Sequence, residues 1–148
     1  MTARRLSQAI AEGDGISVLV EVHDTTGARR AAGAGAEGLV VRSRTDEVGP
    51  EIALPVLAYG LEPDAAAAHA ADAVVLSADD DEALERDALR CQELGVEIVV
   101  RVRDDDELER VFEHVDPEIV LLTAERAEDE QAPRERLLEL LPDVPAGK

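Results

Sequence analysis

The feature that most constrains the fold of this 148-residue chain is a regular alternation of short apolar runs with helical stretches. The runs are rich in Val, Leu and Ile and are bounded by Gly, Pro, Asp or Ser. Such runs are typical of strands that are buried on both faces of a parallel sheet. We therefore predict six strands, over residues 16–22, 39–41, 55–58, 73–76, 96–102 and 118–122.

The stretches between these runs have the spacing of amphipathic helices. In residues 80–94 and 106–115, apolar side chains recur at intervals of three and four, which places them on one face of a helix. Residues 4–12 predict a leading helix. A strand followed by a helix, repeated along the whole chain, predicts an α/β fold with right-handed crossovers.

The length of the repeat selects among α/β folds. One unit takes about 20 to 25 residues, which is short for a doubly wound sheet and typical of a (β/α) barrel. We predict an incomplete (β/α) barrel, with six parallel β/α units in sequential order in a single domain over residues 1–148. The segment from Leu137 to Lys148 predicts a sixth helix and a turn, so we expect strands seven and eight to be absent.

The amino-acid composition excludes several classes of partner and of reaction. Acidic residues number 34 against 15 basic ones, and the net charge of −19 repels nucleic-acid phosphates and anionic membranes. Cys91 is the only cysteine, so no intrachain disulfide and no cysteine cluster for zinc is expected. Lys148 is the only lysine, which excludes Schiff-base chemistry at an internal lysine. No apolar stretch is long enough to span a membrane, and we expect a cytoplasmic protein.

Four segments, over residues 54–57, 70–76, 93–97 and 106–111, resemble the indole-3-glycerol phosphate synthase family. The corresponding segments of that family run from strand three to helix five of a (β/α)8 barrel. The likeness covers most of the chain and is strongest between residues 54 and 122. It implies a TIM barrel of the lyase type that belongs to tryptophan biosynthesis, and it implies no cofactor.

The residues that carry the family's chemistry are mostly replaced. Glu21 matches the glutamate of the family's Glu-x-Lys pattern on strand one, but His23 stands in place of the lysine. Tyr59 replaces the general-acid lysine of strand three, Arg101 replaces the glutamate of strand five, and Thr123 replaces the asparagine of strand six. Because arginine cannot act as a carboxylate base, the resemblance implies a catalytically degenerate relative, with no confident catalytic residue.

The ends of the predicted strands still carry polar side chains that suit ligand binding. The candidates are Glu21, His23, Arg42, Tyr59, Arg101 and Thr123. Barrel enzymes place their sites at this end of the strands, and Arg42 and Arg101, with Arg103, favour a small anionic or phosphorylated ligand. Glu21 and His23 project from the same face of a strand. They are either an acid/base pair, or Glu21 pairs with Arg42 or Arg101 while His23 lies at the solvent rim.

Two acidic runs and one glycine-rich segment resemble binding motifs but are explained by the ends of helices. The acidic runs 79–82 and 104–107 resemble metal clusters, but each begins a helix, where carboxylates cap free amides. The glycine-rich segment 33–38 precedes a strand, the reverse of a phosphate loop, and predicts a helix end and a turn. We therefore expect no metal site.

A non-enzymatic function remains open as the alternative. Six parallel strands without the last two leave two open sheet edges, which a soluble protein must cover or pair. The alternative is therefore a structural or interaction module, such as a homodimer that pairs through its exposed sheet edges.

Overall fold

The computed structural model describes residues 5–13, 17–123, 132–146 and 148. Helices and strands alternate along these residues. In chain order they are α1 (Leu6–Ala11), β1 (Leu19–Glu21), α2 (Thr25–Gly33), β2 (Gly38–Val41), β3 (Val56–Ala58), α3 (Pro63–Ala68), β4 (Ala73–Ser77), α4 (Asp81–Leu94), β5 (Glu97–Val102), α5 (Asp105–His114), β6 (Ile119–Leu122), α6 (Ala132–Leu140) and a 3-10 turn (Leu141–Asp143).

The strands form one sheet in the order β1-β2-β3-β4-β5-β6, and each pairing with a described register is parallel. Leu39 of β2, for example, lies beside both Val20 of β1 and Val56 of β3. A doubly wound sheet would reverse its strand order, whereas sequential order is that of a barrel. The predicted fold class, an incomplete (β/α) barrel, is confirmed.

The described residues fall into two compact units. Unit 1 comprises the described part of residues 1–75 together with 90–97, and unit 2 comprises residues 76–89 with the described part of 98–148. Both have cores of small aliphatic side chains: Leu39 and Val74 are fully buried in unit 1, and Val100 and Val111 in unit 2. The single domain over residues 1–148 stays a prediction.

Aspartates begin the helices, as the sequence predicts for the two acidic runs. The side chain of Asp80 accepts a hydrogen bond from the backbone of Ala83 at 2.7 Å, and Asp104 accepts one from Glu107 at 2.9 Å. These bonds satisfy amides that the first helical turn leaves unpaired. Within the described ranges, no group of three or more His, Cys, Asp or Glu residues is arranged to hold a metal ion.

The glycine-rich segment is a helix end and a turn, which confirms its prediction. Gly35 has a φ of +91°, a conformation that favours glycine, and the backbone N–H of Ala36 donates to the carbonyl of Ala31 at 3.0 Å. Among the described residues, no helix is long and apolar enough to cross a membrane.

The boundaries of some elements differ from the predictions. The first strand, predicted over 16–22, extends only over Leu19–Glu21, and residue 16 lies outside the described residues. The leading helix is shorter than predicted, and residue 4 likewise lies outside the described residues. The predicted helices 80–94 and 106–115 correspond to α4 and α5 within one residue at each end.

Candidate functional site

Three of the predicted site residues come together in unit 1. Glu21 ends β1, Arg42 directly follows β2 and Tyr59 directly follows β3, and these strands are parallel neighbours. Arg42 Nε donates to Glu21 Oε2 at 2.9 Å. The guanidinium carbon of Arg42 lies 4.1 Å from the centre of the Tyr59 ring, within cation–π range. Glu21 was predicted to pair with Arg42 or Arg101, and it pairs with Arg42. Arg42 thus bridges the Glu21 carboxylate and the Tyr59 ring.

His23 lies beside a carboxylate that the sequence analysis did not single out. Its side chain is 72% exposed, as expected for the solvent rim, and its Nδ1 atom is 3.3 Å from Asp46 Oδ1. Asp46 is buried and accepts hydrogen bonds from the backbone N–H groups of Arg42 and Ser43, each at 2.9 Å. Burial raises the pKa of Asp46, but the backbone hydrogen bonds together with His23 outweigh it and hold that pKa below its usual value.

Asp46 therefore fixes the loop that carries Arg42. Its carboxylate ties down the two amides that follow β2, so the backbone of Arg42 is held where its side chain meets Glu21 and Tyr59. The sequence did not predict this role, because aspartate is common in polar loops. Its hydrogen bonds to Arg42 and Ser43 form only once the loop is folded.

Unit 2 contains a second cluster, at the ends of β4 and β5. Arg101 and Arg103 are two residues apart, so their side chains share one face of the strand. Arg103 forms an ion pair with Asp79, and Arg101 Nη2 lies 3.6 Å from the other carboxylate oxygen of Asp79. Asp79 thus links two guanidinium groups. Hydrogen bonding by the Ser77 hydroxyl, followed by Arg103 and then Arg101, holds the pKa of Asp79 below its usual value.

The buried carboxylate of this cluster is Glu107 on α5. Its side chain is 5% exposed and accepts from Arg103 Nε at 3.0 Å and from the backbone N–H of Arg103 at 2.8 Å. This pairing raises the pKa of Arg103. The sequence predicts that the carboxylates of this acidic run cap the helix, but Glu107 instead binds Arg103, which precedes the run. The acidic run therefore both caps α5 and anchors Arg103.

Thr123 directly follows β6 in the same unit. Its backbone N–H donates to the carbonyl of Val102 at 2.9 Å, which continues the pairing of β6 with β5. Its Oγ1 atom is buried and has no hydrogen-bond partner among the described residues. A buried hydroxyl without a partner is uncommon and energetically costly, so this atom could accept or donate a bond to a ligand that reaches the end of β6.

The predicted residues thus divide into two groups within their own units. In unit 1, Arg42 contacts both Glu21 and Tyr59, and His23 lies beside Asp46. Arg101 and Thr123 belong to unit 2. Asp46, Asp79 and Glu107 were not foreseen as parts of these clusters. For Asp79 and Glu107, the available signal was their position in acidic runs beside strand ends that carry arginine.

Comparison with known proteins supports the class of fold. No family model and no curated protein matches the chain. The crystal structure of 2,3-dimethylmalate lyase, a PEP mutase/isocitrate lyase superfamily member, is similar with a TM-score of 0.66 and 14% identity, over 96% of this chain and 68% of that chain. The 3-dehydroquinate dehydratase from Geobacillus kaustophilus HTA426 is similar with a TM-score of 0.56 and 14% identity, over 74% of this chain and 62% of that chain.

At this level of identity the two similarities show the fold alone. The chain has a (β/α)-barrel fold in an incomplete form. Neither structure is an indole-3-glycerol phosphate synthase, so that family is not supported specifically and its resemblance rests on the sequence segments alone.

Proposed function

We propose that this protein is a barrel relative of indole-3-glycerol phosphate synthase that lacks synthase activity and binds a small anionic or phosphorylated molecule at Arg101 and Arg103. The observation that carries the proposal is that these two guanidinium groups share one exposed carboxylate, Asp79, whose side chain is 53% exposed. Their own side chains are only 19% and 14% exposed.

The burial of the arginines strengthens the argument for an anion. Guanidinium groups bind phosphate and carboxylate oxygens through paired, charge-assisted hydrogen bonds. Charges that are partly withdrawn from water interact more strongly than those on an open surface. Glu107 is buried and holds Arg103 in place, whereas Asp79 is exposed and can be displaced. An anion that replaces Asp79 would meet two oriented guanidinium groups.

The loss of synthase activity follows from what stands at the family's catalytic positions. Glu21, the one matching residue, is bound to Arg42, and Tyr59 stacks on the same guanidinium. Arg101, which replaces a carboxylate, cannot accept a proton at neutral pH. Loss of one general acid or base typically costs about 10²- to 10⁴-fold in rate. We expect purified protein to show no synthase turnover above background.

Binding is tested by calorimetric titration with inorganic phosphate and with a phosphorylated anthranilate derivative. Arg101→Gln should weaken the binding of both about tenfold or more. Asp79→Asn should strengthen it, roughly three- to tenfold, because the competing carboxylate is neutralised. Arg29→Gln, which removes an exposed arginine of the Glu51 ion pair in unit 1, is the matched control and should leave binding unchanged. Equal affinities in the wild type and Arg101→Gln would contradict the proposal.

Pairing through a sheet edge is the second candidate, and one observation favours it. All four residues of β6, Ile119–Leu122, are apolar yet only partly buried, and β6 is the last strand of the described sheet. A second copy that adds a strand there would cover them. Sedimentation over a range of concentrations should then show a dimer that Val120→Pro abolishes, since proline removes a backbone donor and disfavours strand pairing. A monomer at every concentration would exclude this candidate.

A further inference from the structure

A groove runs along α5 beside the segment that follows α6. Its volume is about 650 Å³, and its apolar lining consists of Leu108, Phe112 and Pro145. Phe112 is the only phenylalanine of the chain and is partly exposed in this groove. Aromatic side chains gain most from burial, so an aromatic ring left partly in water offers a contact point to a partner.

Four carboxylates line the same groove. Asp105, Glu109 and Glu113 follow one another at intervals of four along α5, and Asp143 faces them from the segment after α6. Among the described residues, no arginine, lysine or histidine lines the groove. In the part of the chain that the structure describes, none of the four forms a salt bridge or a side-chain hydrogen bond. Like charges that line one groove repel one another.

Three other charged side chains of α5 have partners among the described residues. Glu107 binds Arg103, Arg110 binds Asp81 at 3.1 Å, and His114 lies between Asp81 and Glu85 of α4. Among the described residues, four carboxylates of α5 have no salt bridge or side-chain hydrogen bond, and three of them, Asp105, Glu109 and Glu113, line the groove, whereas Asp106 does not.

We propose that this groove docks a cationic amphipathic segment of a partner protein, with lysine or arginine side chains at the four carboxylates and an apolar side chain against Phe112. From Asp105 to Glu113 the helix rises about 12 Å, so a helical segment with roughly two turns in contact matches the groove. The same groove of a second copy does not fit here, because it presents the same four carboxylates. Nucleic acids and anionic lipids are repelled by the net charge of −19.

The first test uses a fluorescent, amphipathic peptide of about 14 residues built from leucine and lysine, with a control peptide in which glutamate replaces every lysine. Fluorescence anisotropy should rise on addition of the protein for the lysine peptide alone, with an affinity that falls as salt increases. Binding of both peptides, or of neither, would overturn the proposal.

The second test uses paired variants of equal charge. Glu109→Gln with Glu113→Gln should weaken binding of the lysine peptide roughly three- to twentyfold. Glu82→Gln with Glu118→Gln, at exposed positions outside the groove, should leave the affinity unchanged. Equal losses in both pairs would mean that the peptide follows the overall charge, and would overturn the groove as its site.

Phe112→Ala tests the apolar contact and should weaken binding about tenfold or more, with thermal unfolding as the check on folding. Unchanged affinity in folded Phe112→Ala would overturn the amphipathic partner. Displacement of the peptide by spermine at equal concentration would also overturn the proposal, because it would show that the groove binds small polycations.

Discussion

The strand-end clusters of the two units use arginine in different ways. In unit 1, Arg42 bridges Glu21 and Tyr59, and about half of its side chain is exposed, as is that of Glu21. In unit 2, Arg103 is 14% exposed and binds Glu107, which is 5% exposed. The arginine–glutamate pair is thus half exposed to solvent in unit 1 and mostly buried in unit 2. Burial, and not the presence of an ion pair, decides what removing a partner costs.

The largest expected effect is on the buried pair. Glu107→Gln should lower the free energy of unfolding by about 2 to 3 kcal/mol, because it leaves the Arg103 guanidinium partly buried with only Asp79 as a charged partner. Chemical unfolding in urea measures this change. Glu109→Gln on the same helix is the control and should change stability by less than about 0.5 kcal/mol. Equal effects of the two variants would remove the distinction between buried and exposed carboxylates on α5.

A smaller effect is expected at the buried carboxylate of unit 1. Asp46→Asn should cost about 1 to 2 kcal/mol, because the charged Oδ2 atom that accepts from both backbone N–H groups, of Arg42 and Ser43, is replaced by a neutral amide oxygen, which is a weaker acceptor. Hydrogen exchange of these two amides should accelerate in the variant. Unchanged exchange would show that Asp46 does not fix the loop that carries Arg42.

The exposed pair should matter less than either buried carboxylate. Glu21→Gln should cost about 0.5 kcal/mol, within the usual range for solvent-exposed ion pairs. It should leave any binding activity in place, because Glu21 acts as a partner of Arg42 and not as a free base. A loss of more than about 2 kcal/mol would place this pair with the buried one and contradict the comparison.

The smallest effect concerns the pH dependence of unit 2. Hydrogen bonding to Glu85, followed by the charge of Asp81, raises the pKa of His114 above its usual value. The stabilisation by protonated His114 is then fully present below about pH 6.5 and is lost as the pH rises through the higher folded-state pKa. His114→Gln should remove that part of the dependence in thermal unfolding scans. Glu85→Gln should reduce it, and a wild-type profile in both variants would refute the assignment.

The fold was largely predictable because its signals are local. Apolar runs such as the one around Val100 and the stripe on α5 follow from the periods of strands and helices, and both appear where expected. The pairing of Glu21 with an arginine was also predictable, because parallel strands in sequential order bring their ends together. The ligand-binding roles of Glu21, His23, Arg42, Tyr59, Arg101 and Thr123 stay predictions.

The sequence could not predict which carboxylate of an acidic run is buried against an arginine and which stays in the groove. In the run 104–107, Asp104 caps α5, Asp105 faces the groove and Glu107 is buried against Arg103. Capping depends on the local backbone and is therefore visible in the sequence. Burial and pairing depend on which residue from a distant segment arrives beside each side chain. The sequence determined the order of strands and helices, and only the tertiary structure decided which acidic residues are neutralised.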